Sequence, residues 1–278
     1  MKAVAVQSKR HSRHMSRRNR HCRHHSIVCC SRATKLLDTS TRWRDKRLPS
    51  DVFDAVASYA AKATWPQGFV VYQRGAAADG IFIVLRGRIV LRSRVKAGRA
   101  FVPGLACEGE AFGWEGLAPN ARYATDARAD EESDTLHLSS ARFREFVREQ
   151  PQQALILIGQ MVEERTALLE KLRELATLSV EQRLISSLVY LARARIFTTD
   201  DGRIALGGSQ YKLLCELVGA TRESVSLVLT RLVGEGLAER NGTTIYVAPV
   251  QVLAERLDNP RLDGEVPLTA GGEIHLGA

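Results

Sequence analysis

Residues Ser209–Val247 read SQYKLLCELVGATRESVSLVLTRLVGEGLAERNGTTIYV, and their spacing decides the fold. Leu213, Leu214, Leu217 and Val218 place an apolar stripe on one short helix. Gly219-Ala220 makes a turn, and Thr221 caps a second helix by accepting the amide of Ser224. Val225, Val228, Leu229 and Leu232 recur at i, i+3, i+4 and i+7, so one face of that helix is core. The opposite face carries Arg222, Glu223, Ser226, Leu227 and Thr230. Gly234 and Gly236 open the exit. Residues 236–240, Asn241-Gly242 and residues 243–247 then read as strand, tight turn and strand, because Asn-Gly accepts the positive φ of a two-residue hairpin. Helix, turn, helix and hairpin in this order form a winged helix-turn-helix. Arg222 and Glu223 stand at the exposed start of the second helix, where such side chains reach guanine and cytosine edges in a major groove. The pattern therefore predicts a surface that reads double-stranded DNA, ahead of a purely structural three-helix unit.

The chain has 278 residues, enough for two domains with separate cores. Its apolar runs are far shorter than a bilayer span, so no membrane partner and a soluble, cytoplasmic protein are expected. Five cysteines (Cys22, Cys29, Cys30, Cys107 and Cys215) are an odd and scattered number, which fits a reducing compartment better than a disulfide framework. The formal charge of +9 is uneven. Residues 1–37 hold ten Lys and Arg and no acid, so the remainder, with 30 basic and 31 acidic residues, is close to neutral. Net charge is thus no argument that the folded part meets DNA; local charge placement is.

Arg-, His- and Ser-rich sequence without apolar periodicity makes residues 1–46 a disordered basic arm. The expected reading is a floppy, non-essential arm. A nonspecific phosphate-binding arm, a transit peptide (basic and acid-poor, but without an amphipathic helix pattern) and an upstream extension with translation starting at Met15 are the competing ones. His21, Cys22, His24, His25, Cys29 and Cys30 are potential metal ligands, but their spacing matches no regular zinc motif, so no metal site is assigned. Asp51–Ala61 reads as a short helix. Residues 64–138 change to short β runs, with a glycine-turn hairpin of Ile81–Leu85 and Ile89–Leu91 around Arg86-Gly87-Arg88, and suggest a small barrel or roll. Ser140–Gln150 reads as a helix ended by Pro151.

From Gln152 to Leu178 runs the longest helical stretch. Ala154, Ile158, Met161, Leu168, Leu172 and Leu175 alternate at spacings of four and three, with Arg165 as the one polar interruption. That is a coiled-coil seam, and Ile158, Met161, Leu168, Leu172 and Leu175 are expected at a homodimer interface. Ser179-Val180-Glu181-Gln182 is a capping box that stops the long helix and starts another, making a hinge. The fold class is α+β. The expected segments are the arm (1–46), a β-roll effector domain (47–152), a dimerisation helix (153–178), the winged helix-turn-helix (179–250) and a C-terminal tail (251–278).

Roll, long helix, hinge and winged helix-turn-helix, in that order, resemble the cyclic-AMP receptor protein and FNR (Crp-Fnr) family of bacterial transcription regulators. The resemblance covers about residues 48–250 and is carried by Tyr72-Gln73-Arg74-Gly75, Ile81–Arg88, Gly109-Glu110-Ala111-Phe112-Gly113, Arg122-Tyr123-Ala124-Thr125 and Val218–Ser226. It implies a dimer on a palindromic operator, with RNA polymerase as a further partner. Arg222 and Glu223 would touch base edges, with Ser226 and Leu227 completing the reading. Ser209, Thr221, Ser224 and the wing would hold phosphates. Many relatives carry a guanine-reading arginine where this chain has Leu227, so an altered operator preference is expected.

The resemblance also implies an effector site built from Gly113, Trp114, Arg122 and Tyr123 of the roll with Leu168 and Leu169 of the long helix. Gly109, Gly113 and Gly116 with Arg122 could cradle a phosphate. Three departures count against cyclic AMP. Trp114 stands where the family has a ribose-gripping glutamate, and Glu115, one place late, is expected to point elsewhere. The loop from Gly113 to Arg122 is shorter than in cyclic-AMP binders. Leu168 and Leu169 replace hydroxyl donors to adenine, and a buried amino group without a partner costs about 1–3 kcal/mol. The effector, and any cofactor, is left unnamed. Two other readings stay open: a cyclic-nucleotide-binding module acting through protein contacts, and a metal or redox sensor using the N-terminal arm. No catalytic residues are assigned, because the folded region holds a single histidine, His137, and no nucleophile–base arrangement.

Overall fold

The computed structural model describes residues 47–94, 100–249 and 251–253. The basic arm with its cysteines and histidines, and tail residues 254–278, lie outside the described residues.

Helix α1 spans Ser50–Ala57 and buries Val52 and Val56. It stops short of the expected end because Ala61–Trp65 is a strand, β1. Its exposed, weakly alternating side chains mark an edge strand, which carries little signal in sequence. There follow β2 (Val70–Tyr72), β3 (Gly80–Arg86), β4 (Arg88–Arg94), β5 (Ala100–Cys107), β6 (Ala111–Phe112), a 3₁₀ turn at Trp114–Leu117, β7 (Asp126–Ala129) and β8 (Ser133–Ser139). Two four-stranded sheets result, in the orders β1-β8-β3-β6 and β2-β7-β4-β5. Their pairings are antiparallel.

Alternation along these strands serves three cores. Phe82, Val84 and Phe112 of the first sheet meet Ile89, Leu91 and Ala127 of the second inside the roll. Ile81, Ile83, Leu136 and Leu138 point the other way, onto α1, Phe146 and Leu157. Val90, Val102 and Leu105, on the outer face of the second sheet, join the core of the C-terminal helices.

Ser139 caps α2 (Ser140–Glu149), its hydroxyl accepting the amide of Arg142 at 3.3 Å. Pro151 does more than end that helix. It opens α3 (Pro151–Thr177), where a missing N–H costs nothing. The capping box forms as read: Gln182 N–H donates to Ser179 Oγ at 3.2 Å and Ser179 N–H to Gln182 Oε1 at 3.0 Å, starting α4 (Val180–Arg193).

A strand not foreseen, β9 (Ile204–Leu206), precedes α5 (Gly208–Val218) and α6 (Arg222–Gly234). β10 (Ala238–Asn241) and β11 (Thr244–Val247) complete a three-stranded sheet, β10-β11-β9. Asn241 pairs with Thr244, so the hairpin turns on Gly242-Thr243, one residue later than expected, with the positive φ (57°) at Gly242 alone. Glycine at the first central position is the type II′ solution.

The winged unit is fastened to the rest by buried polar contacts. Lys171 of α3 is 2% exposed; its ammonium donates to the Leu217 carbonyl in the last turn of α5 and lies 3.8 Å from Glu174. Glu174 in turn accepts from Ser186 Oγ of α4 at 2.7 Å. Arg92 of β4 reaches Glu216 of α5 at 2.6 Å, largely out of water. Gly219, left-handed at φ 66°, closes the seam: a Cβ there would stand 3.0 Å from Leu175 Cδ2.

Candidate functional site

The helix-turn-helix face is assembled by local chemistry. Thr221 Oγ1 accepts the Ser224 amide at 3.3 Å and the two hydroxyls lie 3.1 Å apart, so α6 begins abruptly at Arg222. Burial of Val225, Val228, Leu229 and Leu232 fixes the rotation of α6. Arg222 and Glu223 are exposed, Ser226 is half-buried, and Leu227 is 73% exposed. The backbone amide of Glu223, then the Thr221 hydroxyl, hold its carboxyl below the usual glutamate range, so it is an acceptor at neutral pH. Ser209 is exposed in the first turn of α5, its hydroxyl donating to Gln210 Oε1 at 3.1 Å. A cleft between α6 and the wing is bordered by Arg222, Glu223, Ser226, Arg240 and Thr243. Its lining includes Tyr211, which no motif in the sequence singles out.

A cavity of about 400 Å³ lies between the roll and α3. Of the expected effector residues, Gly113, Trp114 and Leu168 border it. Arg122 does not: its guanidinium donates to the Gly75 carbonyl at 2.6 Å, held there as residue 122 bridges to Ala77. Tyr123 is one layer back, its ring stacked at 3.7 Å on Tyr72, which does border the cavity, and its hydroxyl donating to the Gly80 carbonyl at 3.0 Å. Burial pushes the Tyr123 phenol up to about 12. Leu169, 54% exposed, faces away from the cavity.

The glycine cradle is not assembled either. Gly109 donates to the Val84 carbonyl, and Gly116 is pressed so closely on Gly80 that a Cβ would stand 2.0 Å from its carbonyl oxygen. Glu115 corrects the expectation in the other direction. The 3₁₀ turn brings it to the cavity wall, where its Oε1 accepts the Ala124 amide at 3.1 Å. Leu91, Leu105, Phe112 and Met161 make much of the remaining wall, and Glu110, Glu164 and Arg165 add charges of both signs.

On α3, Leu155, Ile158, Val162, Leu169 and Leu172 form the outward stripe, interrupted by Arg165. Leu155, Val162, Leu169 and Leu172 are each more than half exposed. Of the expected seam, Ile158 and Leu172 lie on this stripe. Met161 and Leu168 border the cavity while staying 36% and 39% exposed, Ala154 is buried, and Leu175 packs on Gly219. Burial raises the thiol of Cys107 to about 12 and that of Cys215 upward, so both are packed, protonated side chains at neutral pH. Among the described residues no cluster of three His, Cys, Asp or Glu side chains suited to a metal occurs, and no helix is long and apolar enough to cross a membrane.

Known proteins share this build. A family model for the cyclic nucleotide-binding domain matches residues 62–150, and one for the Crp-like helix-turn-helix domain matches residues 182–256. The cAMP-activated global transcriptional regulator CRP of Salmonella typhimurium is 23% identical over 188 residues, 66% of this chain and 87% of that protein. The cyclic AMP receptor protein of Thermus thermophilus is 27% identical over 210 residues, 74% of this chain and 92% of that protein. In fold, the c-di-GMP responsive global regulator CLP of Xanthomonas campestris superposes with a TM-score of 0.63 at 20% identity, covering 72% of this chain and 99% of its own. A cyclic nucleotide-binding-type roll and a Crp-like helix-turn-helix, each matched by its family model and spanned together by relatives, place this chain in the Crp-Fnr family, whose matched members are transcriptional regulators.

Proposed function

We propose that the protein regulates transcription as a homodimer that binds a palindromic operator, under control of a small molecule other than cyclic AMP. The observation that carries this reading is the outward start of α6, where Arg222, Glu223 and Leu227 stand exposed beside the Arg240 wing. Twofold pairing through the α3 stripe would present two such helices. The 3-4 spacing of Leu155, Ile158, Val162, Leu169 and Leu172 supports that pairing. Selection of bound DNA from a random pool is expected to recover an inverted repeat with half-sites about one duplex turn, ~34 Å, apart. Leu172→Asp is expected to sediment as a monomer and to lose the repeat. Recovery of sites without twofold symmetry would sink the dimeric reading.

The cavity is the effector site in this reading, and its wall is a poor fit for a cyclic nucleotide. Arg122 is committed to Gly75, Gly113 alone of the three glycines borders the space, and Leu168 offers adenine no hydrogen bond. Titration calorimetry with cyclic AMP is expected to show no micromolar binding; a micromolar Kd would restore the family's usual effector. The cavity-facing Leu168 stands one helical turn before Lys171, which grips the end of α5. An occupant that presses on Leu168 would therefore act on the contact that orients the winged unit, shifting the hinge at Leu178-Ser179 and the spacing of the two α6 helices.

A further inference from the structure

Tyr211 is the feature of the DNA-facing surface that the family resemblance does not explain. It lies on α5, 9% exposed, directly beneath the start of α6. The guanidinium carbon of Arg222 sits 5.1 Å from the centre of its ring, and its hydroxyl donates to the Arg222 carbonyl at 3.3 Å. Ser226, one turn further along α6, borders the same cleft. One side chain thus holds the first of the four residues proposed to read bases, from below, by both its ring and its hydroxyl.

Physical chemistry gives this contact a consequence. Arginine has many rotamers in solution, and a planar guanidinium that reads guanine must lie in one orientation. An exposed arginine loses that freedom on binding. One already laid across an aromatic face has lost part of it, and the cation–π attraction holds it there. The hydroxyl bond to the Arg222 carbonyl fixes the first residue of α6 relative to the same ring, so its backbone and its guanidinium are held together.

We infer that Tyr211 is a positioning residue for sequence recognition: its ring pre-orients the Arg222 guanidinium, and its hydroxyl anchors the Arg222 backbone at the start of α6. The inference rests on the DNA-reading role of α6. It separates base discrimination from affinity for DNA in general. Tyr211 need contact no nucleotide for this, and removing its ring leaves every phosphate-facing group in place.

The test measures, for the full-length protein, the ratio of Kd for an operator altered from guanine at the Arg222 position to Kd for the selected operator. Tyr211→Met keeps the bulk and removes the ring. It is expected to reduce this ratio about fivefold, the size of an exposed cation–π contact. Affinity for random-sequence DNA and the slope of its salt dependence should stay within twofold of wild type. Tyr211→Phe, which keeps the ring, should restore most of the ratio. In an Arg222→Ala background Tyr211→Met should change it no further.

A structural role alone would lower specific and nonspecific binding together, and that result overturns the inference. An unchanged ratio in a folded Tyr211→Met also overturns it while leaving the DNA-reading role intact. A wild-type protein that prefers no sequence overturns both. Should Tyr211→Met fail to fold, nitrogen relaxation of the arginine Nε–H groups in wild-type, DNA-free protein decides. Arg222 is expected to be more ordered than Arg240, and equal mobility of the two would overturn the inference.

Discussion

Lys171→Ala is expected to lower the unfolding free energy by about 3–5 kcal/mol, the cost of removing one partner from a buried ionic contact. Lys171 is 2% exposed and Glu174 5%, so solvent screening leaves the pair at nearly full strength. The substitution strips a donor from the Leu217 carbonyl at the end of α5 and takes the ammonium away from Glu174. It also opens a cavity where a four-carbon stem had packed. Urea unfolding of the full chain measures the loss. A double-mutant cycle with Glu174→Ala should show coupling, since each single change leaves a buried charge whose partner the double change also removes.

The loss should be local in its first effect. Hydrogen exchange is expected to rise along α5 and at Leu178-Ser179 before it rises in the roll, because Lys171 is where α3 holds the winged unit. A change below 1 kcal/mol, or uniform exchange, would mean that the apolar core shared by Val90, Val102 and Leu105 with α4 and α5 does the fastening instead.

Most of this architecture was legible in the sequence, and the parts that were not share a physical reason. Thr221, Ser179 and Gln182 declared their caps because a cap is a local bargain between a side chain and an amide a few residues away. The apolar face of α6 was readable because burial there is one-sided. β1 and β9 were missed because three to five residues at a sheet edge carry no strong alternation, and only their partners, β8 and β11, make them strands. The hairpin slipped by one residue because Asn-Gly satisfies two turn registers and the β9 pairing selects one.

Site residues were harder, for a geometric reason. On α3 the row through Ala154, Met161 and Leu168 and the row through Leu155, Val162 and Leu169 have the same period and share Ile158, Arg165 and Leu172. Periodicity cannot say which of two adjacent rows will turn toward the roll; packing of Ala154 and Leu157 on the roll's helices sets the rotation and leaves Met161 and Leu168 at the cavity rim, still 36% and 39% exposed. Arg122 is a similar case. Its family position suggested a phosphate ligand, but the direction of its side chain depends on the Gly75 carbonyl, 47 residues away.

Arg222→Ala is expected to cost about 1–3 kcal/mol of operator binding, a loss of roughly 5- to 150-fold, and to erase the preference for guanine at one position of each half-site. The guanidinium can donate twice to O6 and N7 of guanine, and no other base offers that pair of acceptors in the major groove. Alanine leaves those acceptors to water, so guanine and adenine should then bind alike. Binding to random DNA should change far less, whereas Arg240→Ala in the wing should weaken all sequences alike and make the salt dependence shallower by about one phosphate. Leu227, 73% exposed and one turn beyond Glu223, shapes the same half-site differently. It has no donor to offer, so the base pair it faces should tolerate loss of guanine and accept a thymine methyl. Leu227→Arg should then impose a guanine requirement that the wild type lacks. Competition binding with single-base operator variants separates these effects. If Arg222→Ala lowers affinity for every variant by the same factor, Arg222 is a phosphate contact, and the specificity of this protein resides elsewhere on α6 or in the wing.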